Sequence, residues 1–215
     1  MWRVPGECRR ARINPSLRAA LSRPEVRQGL LIAALYVVAQ KTAMGMFGPY
    51  FIDAGYDLAQ LGILSGVGSL MLGFLGAMLG GGFVRRFGTR DVLVGAVALQ
   101  SAILALVALS AGNTILPAAQ VAPVAMVASA AVMAFGFVAL YGQFMNWSDP
   151  QQGGVDFTLF QCMDAAVSMV AGTAAGFIAE HFGYGFFFAL ACAISLAVLP
   201  FICRVATLKA GGEYG

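Results

Sequence analysis

The stretch GLLIAALYVVAQKTAMGMFGPYFI, residues 29–52, decides how the rest of the chain is read. A helix that crosses the ~30 Å hydrocarbon core of a bilayer needs about 20 mostly apolar residues, and this run supplies them. Its single formal charge is Lys41, twelve positions into helix 1 of this reading. At about 1.5 Å per residue that is about 18 Å from the start, the middle of the bilayer. An unpaired lysine there costs about 2.5 kcal/mol or more, so Lys41 must face the bundle interior or a wet cavity. Gln40 is its neighbour, on a side of the helix about 100° away.

Working outward, five further apolar runs cover residues 60–84, 92–111, 121–144, 154–179 and 184–205. The fold class is therefore an all-α membrane protein of six transmembrane helices. Polar turns at 53–57 and 146–153, a basic connector at 85–91 and a break at Gly112-Asn-Thr separate the runs. Gly45 and Gly48-Pro49 mark a bend in helix 1, because proline lacks the donor and clashes with the preceding turn. The chain is 60% apolar and 11% charged, against about 25% charge in soluble domains. Residues 1–28 form a basic linker, in which Asn14-Pro15 opens a short interfacial helix with Ile13, Leu17, Ala20 and Leu21 on its apolar side, ended by Pro24. Residues 29–206 form the bundle and 207–215 a tail.

The basic residues set the orientation. If the lead-in is cytoplasmic and the sides alternate, Arg85, Arg86, Arg90, Arg204, Lys209 and the seven lead-in arginines all fall inside. The outer loops then carry Asp53, Asp57, Glu180 and His181 and no Arg or Lys. That is the positive-inside distribution, and it puts both termini in the cytoplasm. The net charge of +3 is spread beside apolar runs and not gathered on one soluble face, so nucleic acid is not a partner.

Several chemistries are excluded. Cys8, Cys162, Cys192 and Cys203 form no close pair and no CxxC, which leaves neither a disulfide framework nor a zinc site. There is no Walker lysine motif and no HExxH. No nucleophile stands with a base, so the chain is not read as an enzyme and calls for no cofactor or metal.

Asp164 lies ten residues into helix 5, also at mid-depth. Asp156, Gln161 and Asp164 share one broad face of that helix. Such a stripe on an otherwise apolar helix fits the wall of a water-filled cavity. Lys41 and Asp164 are expected either to pair with each other or to divide the work, Asp164 carrying a proton and Lys41 meeting an anionic solute. Gln40, Gln100, Tyr141 and Gln143 are further candidates for the cavity lining. Gly62/Gly66 and Gly76/Gly80 are small-xxx-small pairs that permit close helix crossing. Tyr50, Phe51, Tyr56, Phe144, Trp147, Phe182 and Tyr184 cluster near run ends and read mostly as an interfacial aromatic belt.

Two segments repeat. Gly82-Phe-Val-Arg-Arg-Phe-Gly88 ends helix 2, and Gly176-Phe-Ile-Ala-Glu-His-Phe-Gly183 ends helix 5. Three helices apart, they fall on opposite sides of the membrane, as an inverted three-plus-three repeat requires. With Gly81 and Arg90, the first copy resembles the cytoplasmic loop motif of the major facilitator superfamily. Gly81, Arg86, Gly88 and Arg90 match it, and Arg85 stands where that motif has an aspartate. Over residues 15–205 the chain resembles the C-terminal six-helix half of such a transporter. The segment Gly154-Val-Asp-Phe-Thr-Leu-Phe-Gln-Cys-Met-Asp164, followed by Gly172, Gly176 and His181-Phe-Gly-Tyr184, looks most like the muropeptide permease and siderophore importer branch.

The resemblance implies rocker-switch transport driven by protons. Helices 1, 2, 4 and 5 would line the cavity and helices 3 and 6 lie outside. The expected function is secondary active uptake of a siderophore- or muropeptide-like compound across the bacterial inner membrane, by a partial transporter. Its partners would be the lipid bilayer, a small-molecule solute, a proton, and a missing N-terminal six-helix half or a second copy. A non-transporting membrane scaffold is the alternative.

Overall fold

The structure, a computed structural model, describes residues 21–112, 117–148 and 152–210. The expected interfacial helix, five of the lead-in arginines, Cys8 and part of the 112–120 and 144–153 loops lie outside these. The helices are α1 (Pro24–Lys41), α2 (Met44–Asp53), α3 (Leu58–Ile63), α4 (Ser69–Phe87), α5 (Thr89–Gly112), α6 (Ala118–Trp147) and α7 (Gly153–Ala210). A π-helical turn, Leu64–Gly68, joins α3 to α4. The described residues contain no strand. Five helical runs are long and apolar enough to cross a membrane: Val26–Asp53, Leu58–Phe87, Thr89–Ala111, Gln120–Trp147 and Gly153–Cys203. The chain is thus a multi-pass membrane protein by length and composition.

The last run has 51 residues, about 76 Å if straight and more than twice a bilayer core. It is not straight. Gly183 has φ 81° and ψ 164°, a conformation that only glycine adopts freely, and the helix breaks there. The partners of α1 show what the break does. Lys41 contacts Asp164, while the Ala39 carbonyl accepts from Ser195. Two near neighbours on α1 thus touch points about 46 Å apart along a straight helix. The chain therefore folds back at Gly183 into two antiparallel limbs, α7a (residues 153–182) and α7b (residues 184–210).

Gly88 does the same between α4 and α5, with φ 88° and ψ 162°. The two Phe-Gly segments that repeat in sequence thus carry the same backbone turn. Each connector is far shorter than the 85–91 and 180–183 loops expected, because one glycine at positive φ reverses the chain without unwinding the helix before it. Pro24 opens α1 as its first residue, where a missing N–H costs nothing.

Two buried clusters hold the bundle. One, with Tyr36, Val97, Leu140, Phe144 and Phe160, lies at the level of α1. The other, with Phe47, Phe51, Leu104, Phe187 and Phe188, lies at the level of α2. Tyr50, Phe51, Phe144 and Trp147 are buried in these clusters and do not form a lipid-facing belt. They fill the helix ends from inside: Phe144 stacks on Phe160 at 4.4 Å. Of the two glycine pairs, Gly76 and Gly80 lie against Ala131 and Phe135 of α6, while Gly62 and Gly66 face open space. Only 6% of the most apolar window of Leu58–Phe87 is buried.

Candidate functional site

The site is built where helix 1 breaks. Gly48-Pro49 suggested a bend at 45–49, but Pro49 sits inside α2 and the interruption falls earlier, at Thr42-Ala43. Thr42 turns its hydroxyl back to the Val38 carbonyl, a local bond that competes with the helical ladder. Lys41 thereby becomes the last residue of α1. Thr42 and Ala43 keep right-handed helical backbone angles, so the interruption is a kink within the Val26–Asp53 run, near its middle and at membrane depth.

Lys41 Nζ is 2.8 Å from Asp164 Oδ1 and 2.7 Å from Oδ2. The two side chains keep 27% and 11% of their surface open. The ammonium also lies 5.0 Å from the centre of the Phe137 ring, a cation–π distance. Tyr141, one turn from Phe137 on α6, lies near Gln161 and Asp164 of α7a. Phe137 and Tyr141 stack at 5.4 Å. Lys41, Asp164, Gln161 and Tyr141 thus come together from three helices around an aromatic wall.

Asp156 is not part of that group. It is fully buried, bonds Arg23 at the start of α1 and accepts from Gln152 at 3.4 Å. Eight residues separate it from Asp164, about 12 Å along the helix. Arg23 as its partner was not foreseen. Sequence spacing gave no signal for it: Arg23 and Lys41 are about 27 Å apart along α1, whereas Asp156 and Asp164 are about 12 Å apart along α7a. A third tie, Tyr184 donating to Asp53 Oδ2 at 2.7 Å, joins α2 to the start of α7b.

The remaining candidates lie elsewhere. Gln40 and Gln100 are fully buried inside the bundle. Gln40 donates to Tyr36 at 3.3 Å and Gln100 to Ser129 at 3.3 Å. Gln143 is half-buried, about 200° around α6 from Tyr141. Gly81, Arg85, Arg86, Gly88 and Arg90 cluster at the α4–α5 turn, with the three arginines exposed and Arg86 over the Phe87 ring at 5.7 Å. Among the described residues no group of His, Cys, Asp and Glu could hold a metal ion, and Cys162 and Cys192 form no disulfide.

Chemically, the Lys41–Asp164 pair is a neutral unit that can exchange partners. A proton on Asp164 would release Lys41, and an anion could then take the carboxylate's place. No family model matches the chain, and no solved structure matches it.

Proposed function

We propose that the chain is one half of a secondary active transporter, coupled to protons through Asp164. The observation that carries this reading is the Lys41–Asp164 ion pair at membrane depth, partly open and walled by Phe137 and Tyr141. A buried ion pair is weak evidence for stability, because desolvation offsets most of the attraction. Ionisable groups at this depth mark ion and substrate pathways. A scaffold has no use for them.

In this reading the two limbs of α7 are separate crossings, so the helices number six, with both termini cytoplasmic in the bacterial inner membrane. The matched glycine turns at Gly88 and Gly183 support two inverted triplets. The exposed face of α3 and α4 is where a second six-helix half, or a second copy, would pack. The narrower cargo, a siderophore- or muropeptide-like compound, rests on the resemblance of residues 154–184 alone.

The test is proton-driven uptake in inner-membrane vesicles carrying the full-length form, with Lys41→Ala and Asp164→Asn. Lys41→Ala should lower uptake at least tenfold. Asp164→Asn should abolish accumulation against a gradient while leaving downhill exchange. Wild-type accumulation in both variants would sink the reading.

A further inference from the structure

An apolar groove of about 490 Å³ starts beside the Lys41–Asp164 pair. Val38 and Thr42 of α1 flank Lys41 at its mouth, and Val167 follows Asp164 by one turn. From there Ala171 and Ile178 carry one wall toward the Gly183 bend, and Leu190 and Ile194 of α7b form the other. The run from Val167 to Ile178 is about 16 Å long. Thr42 is the one polar side chain in the lining, and its hydroxyl is already given to the Val38 carbonyl. The volume falls in the range of small-molecule sites, about 300–1,000 Å³. The groove therefore offers an apolar slot whose lining neighbours the ion pair along α1 and α7a without including it.

The sign of the head follows from what else holds each charge. Without Asp164, Lys41 keeps the Phe137 face, which favours a cation. Asp164 without Lys41 keeps Tyr141 of α6 and Gln161 of its own helix nearby. At this level α5 and α7b bring no charged residue: Gln100 bonds Ser129, and Cys192 and Ser195 bond main-chain carbonyls. The next charges inward, Arg23 and Asp156, bond each other. A proton that parts the pair can land only on Asp164, because the ammonium already carries its protons, and Lys41 then keeps its charge. A net charge at this depth costs about 2.5 kcal/mol or more, so the released lysine must meet exactly one negative charge.

We propose that the site binds a monoanionic amphiphile, such as an aliphatic carboxylate, with its head on Lys41, its tail in the groove and one proton on Asp164. The inference rests on the transporter reading of the same pair and names its class of cargo. One proton from solution and one anion enter together; the Lys41–Asp164 contact is exchanged for Lys41–carboxylate and a neutral Asp164, and the site is neutral before and after. The ligand is a free solute and not a bilayer phospholipid. A lipid headgroup stays at the interface, about 15 Å from mid-membrane, and could offer this groove only its tail.

The experiment is calorimetric titration of octanoate into the full-length form in lipid nanodiscs, with empty nanodiscs subtracted and several buffers to count protons. Octanoate should bind saturably, take up about one proton, and tighten up to tenfold per pH unit between pH 8 and pH 6, since proton and anion favour each other reciprocally. Octanamide should bind at least tenfold more weakly. Asp164→Asn should bind octanoate at pH 8 with no proton uptake and no pH dependence. Ala171→Phe, which leaves the ion pair in place, should weaken octanoate tenfold or more and acetate less than twofold. Absence of saturable binding, absence of proton uptake, or equal binding of octanamide overturns the proposal. So does competition by a lysophospholipid that is independent of pH, which would make the groove a lipid-tail slot. Octanoate binding with proton uptake but no vesicle transport of any solute breaks the transporter reading and leaves the site. Vesicle transport that needs Lys41 and Asp164, without octanoate binding, breaks this inference alone.

Discussion

Along α4, Gly76 and Gly80 lie directly against the Ala131 and Phe135 backbone of α6; along α1, Arg23 and Lys41 reach across to Asp156 and Asp164 of α7a. The first seam is close-packed: its two glycines bring the helix backbones together, and the Phe83 and Phe135 rings meet edge to face at 5.7 Å beside them, which leaves little room for another arrangement. The second seam is held at two points, about 12 Å apart along α7a and about 27 Å apart along α1, with an apolar groove near one of them. In the proposed transporter its ties would be exchanged singly for a proton or a solute, so the contrast separates a part of the bundle that would move as a unit from a part that would open.

The sharpest way to break this contrast is to add bulk to the glycine seam. A Cβ on Gly76 would overlap the Ala131 carbonyl oxygen, and neither helix backbone can yield. Gly76→Leu should destabilise the protein by about 3 kcal/mol, an overpacking cost at the top of its usual range. Thermal unfolding in detergent measures it. The control is Gly73→Ala, which meets nothing within 4 Å and should change stability by less than about 0.5 kcal/mol. Equal effects at the two positions would end the comparison.

Next comes the exchangeable tie. Lys41→Met alone leaves the Asp164 carboxylate at depth without its cation and should cost about 2 kcal/mol, discounted from the fully buried case for the open surface of the pair. Lys41→Met with Asp164→Leu should recover to within about 1 kcal/mol of wild type, because both desolvation terms vanish together. Such a double variant should be stable and inactive, and a double variant no more stable than the single would mean that the pair is a structural brace. The smallest effect belongs to the outermost tie. Tyr184→Phe removes one hydrogen bond to the exposed Asp53 and should cost about 0.5–1 kcal/mol in the same assay.

Much of the fold was legible in the chain because membrane spans announce themselves by length. Each run near 20 apolar residues appears as a helix, with ends shifted by a few residues where a single glycine does the work of a loop. The Lys41–Asp164 contact was legible for a related reason: few ionisable groups stand at mid-depth, so each has few partners to choose from. The Arg23–Asp156 contact was not, since Arg23 reads as one more arginine of a basic lead-in. Tyr50, Phe144 and Trp147 were misread as interfacial because position near a run end does not tell which way a ring points.

The sequence by itself determined the membrane class, the approximate spans, the depth of Lys41 and Asp164, and the two Phe-Gly turns. These follow from hydropathy and from backbone rules that act over a few residues. Only the tertiary structure decided that helix 1 breaks directly after Lys41, that Gly76/Gly80 meet a partner helix while Gly62/Gly66 do not, and that an apolar groove runs from the ion pair toward Gly183. The reason is physical. In a uniformly apolar chain every face of a helix has nearly the same composition, so which face turns inward is settled by shape complementarity between helices distant in sequence.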